Sequence, residues 1–415
     1  MAGDNANAVS AAAARRQVSG FWIVAFAFLI VSAFATLPSP LYGLYRTRDH
    51  LSAFTITVVY AIFAGGTIAA LLTVPAIAAR IGRRGVMLAA VATMMAAAGL
   101  LAAWKSLPGL LAGRLLTGVA VGLASGTAIT YLIELRVRKD PSPSAAVRAR
   151  NIGTSVNVGA LGVGPLVAGC LAEWVRQPLT ASYLLIVALG AVALIGLAAA
   201  PETAEPGPRA ATTQRATGSS AAARIPVPAA AATLAAFSAN GLFAGLSGLF
   251  LAATFHRPSH ALAGAALFLV FTAGVISQWA TAGLQASRVL ALGMISMLAG
   301  LALLVTSVRL ATPSLALFLV SGALIGAGAG AVFKGTTGLV LAAAAPENRL
   351  ALTSALLIAL FVGLSIPVVG AGIALDRGAT APDTVLGFAI VVALGVGASG
   401  WALVGHRPRS AQHVA

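Results

Sequence analysis

Twelve separate stretches of this chain are long enough and poor enough in charge to cross a bilayer, and that feature narrows the possible folds more than any other. They run over about residues 20–45, 52–79, 86–104, 107–134, 150–173, 178–200, 229–254, 261–285, 289–308, 313–344, 350–375 and 384–405. A helix needs about 20 apolar residues to span the hydrocarbon core. Lipid offers backbone N–H and C=O groups no partner, so only helices and closed barrels can cross it. These runs are continuous and lack the short alternation of barrel strands. The expected fold is an all-α membrane protein of twelve transmembrane helices. With 59% hydrophobic and 9% charged residues among 415, little chain is left for a soluble domain of ordinary size.

The net charge of +16 would suggest nucleic acid in a water-soluble protein. Here the placement of the charge matters more than its sum, because basic residues concentrate in loops on the cytoplasmic side. Most of the 26 basic residues fall at alternate joints, among them Arg15, Arg16, Arg80, Arg83, Arg84, Arg136, Arg138, Lys139, Arg148, Arg150, Arg209, Arg215 and Arg224. That bias expects both termini in the cytoplasm and an integral protein of a bacterial-type inner membrane. The basic residues are dispersed over short loops without interleaved aromatics, which argues against a nucleic-acid partner. A single cysteine, Cys170, excludes an internal disulfide and a Cys-based zinc site. No cofactor is implied. The stretch from Arg15 to Thr36, with Ala33-Phe34-Ala35, imitates a secretory signal, but eleven later spans favour an uncleaved first helix.

One long polar interruption, rich in Ala, Thr, Pro and Arg, divides the chain at 201–228 and reads as a flexible cytoplasmic linker. The expected organisation is an N-terminal tail at 1–19, a six-helix bundle at 20–200, the linker, a second bundle at 229–405 and a tail at 406–415. Six spans on each side suggest two related halves. Setting Gly113-Arg114-Leu115-Leu116 over Gly322-Ala323-Leu324-Ile325 brings Ser125-Gly126-Thr127 over Lys334-Gly335-Thr336 without a gap. Pro165-Leu166-Val167 similarly matches Pro367-Val368-Val369. Two pseudo-symmetric six-helix bundles follow.

The joint between the second and third spans, Pro75-Ala76-Ile77-Ala78-Ala79-Arg80-Ile81-Gly82-Arg83-Arg84, resembles the loop signature of the major facilitator superfamily. That pattern runs Gly, any residue, Leu, Ala, Asp, Arg, any residue, Gly, Arg, Arg. Arg80, Gly82, Arg83 and Arg84 match it, whereas Pro75 replaces the first glycine and Ala79 the aspartate. In the family this loop joins a charge relay between helices on the cytoplasmic face, so the resemblance implies a gating loop here, weakened or rewired by Ala79. Glu134 resembles the acid many members carry at the inner end of the fourth span, and is expected to pair with Arg80 or Arg84. Arg114-Leu115-Leu116-Thr117-Gly118 is similar to the family's Arg-x-x-x-Gly element. The run from Ala160 through Gly164 and Pro165 to Gly169 looks like the Gly-Pro element of members that export substrates by antiport. Pro201-Glu202-Thr203 resembles a common ending of the sixth span.

Apart from that resemblance, a cation near the centre of a helix costs about 2.5 to 3.5 kcal/mol on insertion scales and so faces a cavity or a partner. Arg114 and Lys334 are the cations inside spans. The family's fold puts spans one, four, seven and ten around a central cavity, which would let both line it and receive an anionic group. Alternatively, Arg114 braces helices and Lys334 snorkels to the interface. Asn157, Asn240, Gln278, Tyr42, Tyr131 and Ser247 are the uncharged polar candidates, each open to a reading as an interhelical hydrogen bond. Pro38 and Pro40 should break or end the outer part of span one.

Proton coupling ordinarily uses a carboxylate within the membrane, yet Glu134, Glu173 and Asp376 lie at or near span ends. Glu134 is the coupling candidate, a neutralisable Lys334 the alternative, and transport without protons a third. The chain does not read as an enzyme. Gly245-Leu246-Ser247-Gly248 imitates a serine nucleophile motif, but His50, His256, His260, His406 and His413 all fall in loops or the tail, so the serine lacks a base. The glycines Gly322, Gly326, Gly328 and Gly330 follow no strand and do not form a dinucleotide fingerprint. The expectation is a monomeric secondary transporter that exports a small amphiphilic or anionic organic compound against protons. An importer of a small anionic metabolite, or a membrane sensor or scaffold without transport, are the alternatives.

Overall fold

The computed structural model describes residues 2–203, 226–345 and 348–405. Most of the linker expected at 201–228 and the tail at 406–415 lie outside the described residues. Thirteen helices make up nearly everything described, and no strand occurs among these residues. They are α1 (Ala2–Thr36), α2 (Tyr42–Asp49), α3 (Ala53–Ala103), α4 (Leu107–Ser125), α5 (Ala128–Lys139), α6 (Pro143–Trp174), α7 (Pro178–Ala199), α8 (Val227–Ala253), α9 (His260–Ala280), α10 (Ala286–Arg309), α11 (Leu315–Ala343), α12 (Arg349–Asp376) and α13 (Ala381–Gly405). Eleven continuous stretches among the described residues are long and apolar enough to cross a membrane.

Three local features explain how these helices begin, bend and stop. The 51 residues of α3 are interrupted at Gly82, whose φ of 76° and ψ of 175° lie where only glycine is at ease, so 53–81 and 83–103 are separate arms. The expected break in span one is observed. Pro38 precedes and Pro40 lies within a short 3₁₀ turn, Ser39–Leu41, between α1 and α2, because proline lacks the donor that would continue the helix. The fourth span, expected as one run over 107–134, is instead divided. Gly126 and Thr127, both poor helix formers, separate α4 from α5.

The described residues divide into two compact units, the first drawn from Met1–Ser220 with Pro258–Phe268, the second from Ala221–Arg257 with Leu269–Ala415. The same helix pairings recur inside each. In the first unit α1 packs on α6 and α7, and α3 on α4 and α7; in the second α8 packs on α12 and α13, and α10 on α11 and α13. Pro165 and Pro367 both lie inside the helix that meets the first helix of their unit. Close approach is made possible by glycine. A Cβ on Gly118 would collide with the carbonyl of Phe63, and one on Gly326 with the carbonyl of Val270. Small residues that let backbones meet are the usual means of association where lipid removes the hydrophobic drive between helices. Leu72, Leu184, Ile195, Ile295 and Leu394 project from the units, which suits a surface solvated by acyl chains.

Candidate functional site

Gly82 turns the chain sharply, and the helical arm that follows starts with free N–H groups that need an acceptor. The sequence pattern leaves Ala79 where a carboxylate would be. A different acid fills that need: Glu202, just beyond α7, accepts from the N–H of Arg83 through Oε1 at 3.0 Å and from the N–H of Arg84 through Oε2 at 3.0 Å. Its Oε1 also accepts from the Thr203 N–H at 2.9 Å. A carboxylate on the first turn of a helix complements the macrodipole as well as the orphan donors.

The Pro201–Thr203 segment is held from its other side by α5. The Tyr131 hydroxyl donates to the Pro201 carbonyl at 2.6 Å, and Arg138 donates to the carbonyls of Glu202 and Thr203 at 3.1 and 2.7 Å. Arg84 donates to the Ala200 carbonyl at 3.2 Å. Glu134 accepts from the Thr203 hydroxyl and lies 3.6 Å from Arg83 Nε. The expected pairing of Glu134 with Arg80 or Arg84 is therefore corrected. Arg84 is drawn to the end of α7 and Arg80 points outward, exposed, which leaves Arg83 as the residue whose helical arm faces α5.

Arg114 is completely buried. Nη1 donates to the Ala35 carbonyl at 2.8 Å and Nη2 to the Tyr60 carbonyl at 3.4 Å. The guanidinium carbon stands 4.8 Å from the centre of the Phe63 ring and 5.9 Å from that of Tyr60. One fork thus ties α4 to α1 and α3, with an aromatic face against the charge. Tyr42 meets Tyr60 edge-on at 6.5 Å, so Arg114, Tyr60 and Tyr42 form one group. Among the described residues, the hydroxyls of Tyr42 and Tyr60 and the Arg114 Nε have no hydrogen-bond partner. Elsewhere in this unit, Asn157 on α6 accepts from the Ser32 hydroxyl on α1 at 3.0 Å.

The Gly164-Pro165 element sits at a double contact. A Cβ on Gly164 would collide with the backbone of Ala33 on α1, while the Pro165 carbonyl lies against Gly264 in the first turns of α9. Four residues further on, Gly169 meets the His260 carbonyl. The α9 start is then fastened by Glu173, which accepts from the N–H groups of His260 and Ala261 at 2.9 and 3.3 Å and from the Ser259 hydroxyl at 3.2 Å. The His260 ring contacts the Pro40 carbonyl at 3.0 Å.

In the second unit, Lys334 Nζ donates to the Gln278 carbonyl at 2.6 Å and to the Thr281 hydroxyl at 3.2 Å. It thereby serves the last turn of α9, where unpaired carbonyls and the negative end of the dipole attract a cation. Lys334 and Gln278 are brought together through this backbone contact. Asn240 is buried on α8, and its side-chain oxygen has no hydrogen-bond partner among the described residues.

Sequence reasoning missed Glu202 as the acid that caps the helical arm after Gly82. The signal was available: an arm beginning at Gly82 without the usual aspartate demands an acid from elsewhere, and Glu202 lies in the one short polar motif that closes the sixth span.

Long apolar helices with paired glycine crossings define an integral membrane protein. Residues 24–288 match the Major Facilitator Superfamily, and the chain belongs to that family of transporters. No curated protein matches it as a relative. The fold is similar to that in the crystal structure of the nucleoside transporter NupG (D323A mutant), with a TM-score of 0.70 at 10% identity, covering 94% of this chain and 99% of that one.

Proposed function

We propose that this chain is a secondary active exporter, carrying a small amphiphilic organic compound outward in exchange for protons by alternating access of two six-helix bundles. Counting the two arms of α3 separately brings the membrane-crossing helices to twelve, with both termini in the cytoplasm. The observation that carries the direction is the Gly164-Pro165 element, which stands in α6 against both α1 and the start of α9, at a position where family members with this motif work as antiporters.

An anionic cargo is the weaker choice, since both intramembrane cations are committed to backbone oxygens. Arg114 already donates to carbonyls on two helices and Lys334 caps a helix, so an anion would compete with those bonds. We assign Arg114 a bracing role, and the polar part of the substrate path to Tyr42, Asn157, Asn240 and Gln278. Glu134 is the proton-coupling group, because its carboxylate is held by one ion pair and one hydroxyl that protonation would release. At 10% identity, the nucleoside specificity of NupG does not carry over.

The test is flux in reconstituted vesicles with an imposed pH gradient. A lipophilic organic cation or neutral dye should move against the proton gradient, and collapse of the gradient should stop it. Accumulation of small anions in the opposite direction would establish an importer, and no flux under any gradient would leave a sensor or scaffold.

A further inference from the structure

At the end of the first unit that carries the Gly82 break, a shallow surface depression lies between α1 and α5, lined by Gln17, Val18, Phe21, Trp22, Leu135, Arg136 and Lys139. Its two walls differ in character. The α1 wall is aromatic: Trp22 is 58% exposed and packs edge-on against buried Phe21 at 5.3 Å. The α5 wall is cationic, since Arg136 and Lys139 occupy the last turn of that helix beside Arg138.

The three cations of that turn have different commitments. Arg138 is occupied by the Glu202 and Thr203 carbonyls. Arg136 and Lys139 have no carboxylate within ion-pair distance among the described residues. Asp140, next in sequence, is bonded instead to the Ser142 N–H and to Arg148. Ser142 above all, with Arg148 and Arg136, holds the Asp140 carboxyl below its ordinary range.

Two cations without a paired acid, an exposed indole and an apolar floor of Phe21 and Leu135 match the layers of a membrane boundary. Phosphates of anionic lipids attract Lys and Arg near the surface, indoles settle at headgroup level, and acyl chains cover what lies deeper. We propose that this depression binds an anionic phospholipid, its phosphate held by Arg136 and Lys139 and its glycerol region lying against Trp22. The bound headgroup would stand within one turn of α5 from Glu134 and Arg138, residues that hold the Pro201–Thr203 segment. The inference rests on membrane insertion and not on the direction or cargo of transport.

The experiment titrates delipidated full-length protein in detergent with brominated phosphatidylglycerol and reads the quenching of Trp22 as the difference between wild type and Trp22→Phe. Arg136→Gln combined with Lys139→Gln should weaken binding roughly 30-fold, the loss expected for two surface cations at an anionic interface. Arg176→Gln, in the loop after α6, should leave it unchanged. Both altered side chains reach solvent and Arg138 is kept, so the variant remains folded, which its unfolding temperature verifies. Undiminished binding by the double variant would overturn the proposal. So would equal quenching by brominated phosphatidylcholine, which would show apolar filling alone, or displacement of the lipid by inorganic phosphate at millimolar concentration, which would show a free-anion site.

Discussion

Replacing Gly82 by alanine should act through Glu202, and the size of the effect can be worked out from the local geometry. With φ at 76° and ψ at 175°, a residue bearing a Cβ pays a conformational cost of about 2 kcal/mol. That Cβ would also lie 2.5 Å from Glu202 Oε2 and 2.7 Å from its Cδ, so the carboxylate must leave the helix end. Losing a charged acceptor there costs about 2 kcal/mol more. Gly82→Ala should therefore lose about 4 kcal/mol and Glu202→Ala about 2. The double variant should lose about 4 rather than the additive 6, because the cap can be removed only once. Equilibrium unfolding of detergent-solubilised protein by a denaturing detergent, read by helical circular dichroism, measures all three. Full additivity would refute the claim that Glu202 is the group Gly82 makes room for. A harmless Gly82→Ala would refute the strained turn.

Four further outcomes are expected. Arg114→Met should destabilise the protein by about 3 kcal/mol by removing its bonds to the Ala35 and Tyr60 carbonyls and orphaning that of Ala35 at the end of α1, with Arg114→Lys milder; the same unfolding titration checks it. Glu134→Gln should change stability by under about 1 kcal/mol, since its ion pair is partly exposed, yet vesicle efflux should lose its dependence on the pH gradient. Lys334→Met should cost about 1 kcal/mol as a lost helix cap and leave export of a neutral amphiphile intact, whereas loss of transport would return Lys334 to the substrate path. Gly164→Val should abolish folded protein in size-exclusion chromatography, because the new side chain meets the Ala33 backbone, while Gly99→Ala, with open space around it, should be neutral or stabilise by up to about 1 kcal/mol.

Much of the architecture was legible because lipid constrains a sequence more simply than water does. The span limits read from charge and hydropathy agree closely with the helices over 178–200, 229–254 and 289–308, since an apolar run bounded by polar residues leaves few alternatives. Pro38 and Pro40 marked a real break. The division between α4 and α5 was not read, because Gly126 and Thr127 are unremarkable in a chain with 45 glycines, and only the neighbours decide which glycine ends a helix. The partner of Glu134 was misassigned for a related reason. Three arginines within five residues of sequence are equivalent by spacing, and the turn at Gly82 aims them in different directions.

By itself, the sequence determined the solvent of this protein, the place of its membrane-crossing helices and the family signature, because each depends on local composition or on a short contiguous motif. Tertiary structure alone decided the commitments of the polar groups: Glu202 on the Gly82 turn, Arg114 on two carbonyls, Lys334 on the end of α9. A charge in a low-dielectric interior takes whatever partner lies within about 3 Å. Which groups come that close is settled by how helices distant in sequence cross.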